Sequence, residues 1–230
     1  MTNRLTILVV LNLLIFNLGF FGIVYKIPLS EKTVVKTEVI TTVIKPKLVE
    51  PPPNYKLKTL IPGYLSYNEM VAQFQEWREE APQLSEVGTY GKSSAGKDLV
   101  YFRIHHKESK PVVLISAAMH GNEPWSTGVV MGYIGTILDQ YGDNEQITEI
   151  VNNTDLYFIP IVCPDSYPDR RETDGVDPNR NFPTPQSPNL VSIQPIQALQ
   201  KFFLLLHPSA AISGHTWGRT YLQPYGDSLE

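Results

Sequence analysis

The sequence predicts an α/β fold: a mixed, mostly parallel central sheet with helices on both faces, preceded by one transmembrane helix. Three observations carry this. Two continuous apolar runs, PVVLISAA at 111–118 and LYFIPIV at 156–162, read as strands buried on both faces. Segments with helical apolar spacing alternate with those runs, and that alternation means a sheet that is parallel in its centre. The amino terminus holds an uncharged apolar run long enough to cross a bilayer.

The run from Leu5 to Tyr25 (LTILVVLNLLIFNLGFFGIVY) lies between Arg4 and Lys26. About 20 apolar residues span a membrane as a helix, so residues 1–25 read as a single-pass anchor. A cleaved signal peptide is the competing reading, but no small-residue cleavage site follows. Residues 26–60 are rich in Thr, Val, Lys and Pro and end near Pro51–Pro53, the composition of a stalk. Residues 61–230 form the globular domain, expected on the extracytoplasmic side.

With 230 residues, a net charge of −4 and 42% hydrophobic residues, the chain can build one core plus an appendage. No basic stripe is present to neutralise phosphates, which excludes nucleic acid as a partner. Cys163 is the one cysteine, so no intrachain disulfide is possible. Its place beside Pro164 at the end of an apolar run is that of a small core residue rather than a nucleophile.

Ser66 and Glu69 form a capping box, and Tyr67, Val71, Phe74 and Trp77 recur at helical spacing before Pro82. Val87–Tyr90 and Leu99–His105 read as strands around the turn GKSSAGKD. The strand at 111–118 precedes a helix over Trp125–Tyr141, with Val130, Ile134, Ile137 and Leu138 inward and three glycines that allow close packing. After the strand at 156–162, Ile193–Leu206 is helical, with Ile196, Leu199, Phe203 and Leu206 on one stripe. Ser209–Ser213 is a final short strand.

In open α/β sheets, ligands sit at the carboxyl ends of the central strands. Three such ends carry polar clusters here. His120-Gly121-Asn122-Glu123 follows one strand, Pro164-Asp165-Ser166-Tyr167 the next, and Ser213-Gly214-His215-Thr216 ends the last. Two histidines and a glutamate converging there would make a catalytic zinc site with one coordination position open. The His-x-x-Glu spacing alone is weak, since His105 and Glu108 share it. That pair falls in a polar turn and reads as solvated, and His207 beside Pro208 reads as structural.

Four segments together resemble the zinc metallocarboxypeptidase family of carboxypeptidase A-like enzymes, in that family's order from about Tyr64 to Gly226. They are VGTYGKSSAGKDL at 87–99, HGNEPW at 120–125, CPDSYPDRRETDGVDPNRNFP at 163–183 and SGHTWGRTYLQPYG at 213–226. The resemblance implies one Zn²⁺ held by His120, Glu123 and His215. It implies that Asp177 orients a ligand histidine, and that Asn179 and Arg180 grip the free carboxylate of a peptide or protein substrate. Arg170, or in its place Arg171, would be the arginine that stabilises the oxyanion. Ser166 replaces the family's usual Gly, Pro178 its usual Leu, and Trp217 stands near a small or tyrosyl residue. The family's general-base glutamate lies well beyond the last ligand, and Glu230 does not stand in a matching context, so the carboxypeptidase-like fold is expected to be incomplete at its carboxyl end. The activity implied is removal of C-terminal residues from peptides. Two alternatives are an amidase or deacylase acting on cell-wall peptides or acyl amino acids, and a membrane-tethered module that binds peptides without turnover.

Overall fold

The computed structural model describes residues 21–25, 65–106, 111–187 and 191–216. The first helix, α1 (Tyr67–Glu80), starts at the expected capping box. Glu69 donates its backbone N–H to the Ser66 hydroxyl, and the Ser66 N–H donates to the Glu69 carboxylate at 2.7 Å. Two orphan amides at the helix start are thereby satisfied. Met70, Phe74 and Trp77 are the residues this helix buries, with Tyr67 and Val71 packed at the margin.

The strands are β1 (Phe21–Tyr25), β2 (Ser85–Lys92), β3 (Asp98–Ile104), β4 (Val112–Ser116), β5 (Asp155–Ile159) and β6 (Ala210–His215). They form one sheet in the order β1-β6-β4-β5-β3-β2. Only the central trio β6-β4-β5 is parallel; the other three pairings are antiparallel. The sheet is therefore mixed and parallel at its centre, not mostly parallel. The reason lies in the connections: a short turn joins β2 to β3 and can only make a hairpin, whereas the parallel pairs need helical crossovers. A bulge between Thr89 and Gly91 interrupts the hairpin register.

Helices α2 (Pro124–Gln140), α3 (Glu145–Asn153) and α4 (Gln194–Leu206) complete the described α-helices, and a 3₁₀ turn spans Pro178–Arg180. Strand alternation sorts the core into two layers. Val113, Ile115, Leu156, Phe158 and Ile212 join α1, α2 and α3 on one face. Leu114, Tyr157, Ile159 and Ala211 join Ile196, Leu199 and Phe202 of α4 on the other. On the first face Phe102 meets Phe74 at 5.0 Å and Trp77 at 5.9 Å between ring centres. Cys163 is buried, and burial pushes its thiol up to about 12, in keeping with a core role.

Three expectations need correction. Residues 21–25 are a strand, antiparallel to β6 with Phe21 opposite His215, and not the end of a membrane helix. The edge of β6 offers unpaired amides and carbonyls, and an extended apolar segment satisfies them. Residues 5–20 and the stalk lie outside the described residues, and no described helix is long and apolar enough to cross a membrane. In α2, Gly128 and Gly132 face open space rather than a close neighbour, so their small size serves no packing. On the α4 stripe, Phe202 is buried beside Ile196 and Leu199, and Phe203 and Leu206 pack only at its margin.

Candidate metal centre

The parallel trio brings the carboxyl ends of β4, β5 and β6 to the same end of the sheet, and the polar clusters with them. Beyond β4 the ladder continues, as Val162 and Cys163 donate N–H to the carbonyls of Ala117 and Ala118. Ala118 then takes a left-handed φ of 44° and turns the chain into the loop that holds His120. Its N–H donates to the Ser126 hydroxyl, which in turn donates to the Glu123 carbonyl at 2.7 Å. This pins the loop to the first turn of α2.

Glu123 is the N-cap of α2, yet its carboxylate makes no cap hydrogen bond to the helix. Both oxygens instead face imidazoles: Oε1 lies 2.9 Å from His120 Nδ1 and Oε2 lies 2.8 Å from His215 Nδ1. Each of the three residues offers a donor atom within 4.8 Å of the others. His120 and Glu123 are each only 2% exposed. Burial alone would raise the Glu123 carboxyl, but hydrogen bonds from His120 and His215 outweigh it and hold it at about 2.

The other side of His120 faces a second carboxylate. Its Nε2 lies 2.9 Å from Asp177 Oδ1 and its Nδ1 faces the Glu123 carboxylate, so with a metal on Nδ1 the ring N–H would sit on Nε2 and be held by Asp177. The two imidazoles and the carboxylate converge in a buried space, and this donor set suits zinc. Tetrahedral bonds of about 2.0–2.2 Å would set donors ~3.4 Å apart, within the range these atoms already span. His215 Nε2 is buried and has no hydrogen-bond partner among the described residues.

Asp177 itself is held firmly. Its Oδ1 also accepts the Asn179 N–H at 2.9 Å, where it caps the 3₁₀ turn Pro178–Arg180, and its Oδ2 accepts from Arg171 at 2.8 Å. Burial works to raise this carboxyl, but His120 and Arg171 hold it below the usual range. Arg170 is exposed and donates its guanidinium to the Asp165 carbonyl, while its own carbonyl accepts the Asn122 N–H. Arg180 is exposed and donates to the Asn179 carbonyl at 3.1 Å. Hydrogen bonds thus join Arg171, Asp177, His120, Glu123 and His215 into one chain, whereas Arg170 and Arg180 stand outside it.

The sequence reading missed a latch. The Asp165 carboxylate accepts from the Ser93 hydroxyl at 2.8 Å and the Ala95 N–H at 2.9 Å, and Lys97 donates to the Pro164 carbonyl at 2.8 Å. The β2–β3 turn is thereby clipped to the loop that carries both arginines. Its Ser-Ser-Ala-Gly composition signals a turn but gives no hint of its distant partner. His105 follows β3, whose last residue Ile104 pairs with Leu156 at the start of β5, so it lies at the opposite end of the sheet from the cluster. Glu108 lies outside the described residues.

A sequence model of the zinc carboxypeptidase family matches residues 70–201, more than half of the chain. Metallocarboxypeptidase A of Trichophyton tonsurans is 27% identical over 205 residues, covering 72% of this chain and 48% of that protein. Carboxypeptidase D of Drosophila melanogaster is 29% identical over 164 residues, covering 61% of this chain and 12% of that protein. The chain thus spans about half or less of the length of these curated relatives. Among solved structures, bovine thrombin-activatable fibrinolysis inhibitor in complex with tick carboxypeptidase inhibitor superposes with a TM-score of 0.62 at 21% identity. That match covers 73% of this chain and 66% of the other, and it speaks to the fold. By its match to the family model over the segment that builds strands β2 to β5 and positions His120, Glu123 and Asp177, the chain belongs to the zinc carboxypeptidase family.

Proposed function

We propose that this chain supplies the metal site and the carboxylate-binding side of a zinc carboxypeptidase that removes C-terminal residues from peptides. The observation that carries this is the convergence of His120, Glu123 and His215, with Asp177 on the far nitrogen of His120. His120, Glu123 and His215 would hold one zinc ion. When bound, zinc supplies Lewis-acid polarisation of the scissile carbonyl and activation of the attacking water. Asn179 and Arg180 bind the terminal carboxylate of the substrate, for which the planar guanidinium fork is suited. The Arg180 side chain is exposed, so an incoming carboxylate can reach it. Arg170, exposed on the latched loop, would meet the negative charge that develops on the carbonyl oxygen.

The test is metal content and hydrolysis by the full-length protein, on matched peptides with free and amidated carboxyl termini. Zinc binding that is lost in His215→Ala or Glu123→Ala, with cleavage of the free-carboxylate peptide only, is the expected result. Full zinc retention in both variants would sink the metal site. Equal cleavage of amidated peptides would remove Asn179 and Arg180 from their role and favour an amidase. A membrane location rests on the apolar run that precedes β1, with the domain extracytoplasmic. Release of the intact protein by alkaline carbonate would refute it.

A further inference from the structure

The notable feature of the hydrogen-bonded chain is its outer end. Arg170 and Arg171 are neighbours with the same charge, but only Arg171 is committed to Asp177. Its guanidinium donates to Asp177 Oδ2 at 2.8 Å while Oδ1 accepts from His120 Nε2 at 2.9 Å. A carboxylate held on both oxygens cannot rotate about its Cβ–Cγ bond without breaking one of them. The Asn179 N–H restrains Oδ1 alone, so Arg171 is the contact that fixes the plane of the carboxylate. The plane of Asp177 in turn sets the ring of His120, and so the direction in which Nδ1 faces.

We propose that Arg171 is a positioning residue for the metal site: through Asp177 it aims His120 Nδ1 at the ion, and it does not contact substrate. This rests on the metal-site reading given above. It also divides the labour between the two arginines, leaving Arg170 to face the substrate.

Two effects of opposite sign compete. A guanidinium near a dication repels it, so loss of charge alone would tighten zinc. Arg171 is 49% exposed in its side chain, however, and solvent screens that repulsion. Loss of orientation is not screened, and removing partners outside the ligand shell typically weakens metal binding by about 10–100-fold. The orientation effect therefore wins, at the lower end of that range because Arg171 acts through one intervening group.

The experiment measures zinc affinity by chelator competition on the full-length protein, with the absorption spectrum of the cobalt-substituted form as a second readout. Arg171→Ala should weaken zinc by about tenfold and alter the cobalt spectrum. Arg171→Lys, which keeps one donor, should recover part of the loss. Arg170→Ala removes the same charge one residue away and should leave affinity and spectrum as in the parent. The thermal midpoint of the metal-free protein should barely move in Arg171→Ala, because a half-exposed ion pair adds little to stability. Parental or tighter zinc binding by Arg171→Ala would overturn the proposal, as would an equal loss in Arg170→Ala. His215→Ala separates the two readings: if it too keeps zinc, the metal site itself is wrong; if it alone loses zinc, only the role of Arg171 falls.

Discussion

Gly121 offers the sharpest test of how the fold holds the site. A methyl group built on its Cα would lie 2.4 Å from both the carbonyl carbon and the oxygen of Ser166, and 2.6 Å from the Ser166 hydroxyl. Ordinary contact needs roughly 1 Å more than that. The obstacle is backbone, and neither side can yield cheaply. The loop of Gly121 is tied to the next by Asn122 N–H donating to Arg170 O and by Cys163 N–H donating to Ala118 O. Forcing a methyl into such a site costs about 1–3 kcal/mol, or a fall of roughly 2–12 °C in Tm for a domain of this size. The same shift moves His120 and Glu123, which flank Gly121, so zinc affinity should fall by at least about tenfold. Gly128 in α2 is the internal control, since a Cβ there meets nothing within 4 Å. Gly128→Ala should stabilise by about 0.4–1 kcal/mol, because it restricts the unfolded chain. Thermal unfolding and zinc titration of both variants decide the matter. If Gly121→Ala behaves like Gly128→Ala, the close approach to Ser166 does not constrain the site. Full rescue by Ser166→Gly would likewise refute the argument, because that change leaves the obstructing backbone in place.

Two further outcomes follow from the packing and the charges. Phe74 is fully buried against Phe102 and Trp77, so Phe74→Ala should lower unfolding free energy by about 3–5 kcal/mol in a urea titration; a loss under ~1 kcal/mol would contradict that placement. The Glu123 carboxyl is lowered to about 2, so the stability it adds in the metal-free protein is present above the ordinary carboxyl range and lost as pH falls from that range toward about 2. Unfolding free energy followed against pH should therefore fall less in Glu123→Gln than in the parent across that window; an identical pH dependence would show that Glu123 is not held in this way.

Much of the site was legible because its residues follow strands that announce themselves. The apolar runs that became β4 and β5, and the short strand before His215, place their carboxyl ends together in any parallel arrangement, so His120, Glu123 and His215 could be grouped without coordinates. Ser66 and Glu69 were equally plain, since a capping box is local chemistry. Helix α3 has no counterpart in the sequence reading, although Asn144 caps it and Ile147, Ile150 and Val151 show helical spacing. What could not be read were relations between distant segments. The strand at 21–25 looks like any apolar stretch until the open edge of β6 is known. The choice between Arg170 and Arg171 is a matter of which guanidinium reaches Asp177, and adjacent residues carry no sequence signal for that. The latch of Ser93 and Ala95 onto Asp165 joins residues 72 and 70 apart.

The spacing of the ligands along the chain has a consequence for how the molecule matures. His120 and Glu123 are three residues apart, but His215 follows Glu123 by 92. On a ribosome the first two emerge early and the third only after α4 and most of β6. Closing so long a loop carries an entropic cost that the β4–β6 pairing must overcome, and such distant pairings form late. Until then a metal would find only His120 and Glu123, two of the three donors that could hold it. On the proposed ligand set, tight zinc capture would therefore require β6 to have docked beside β4.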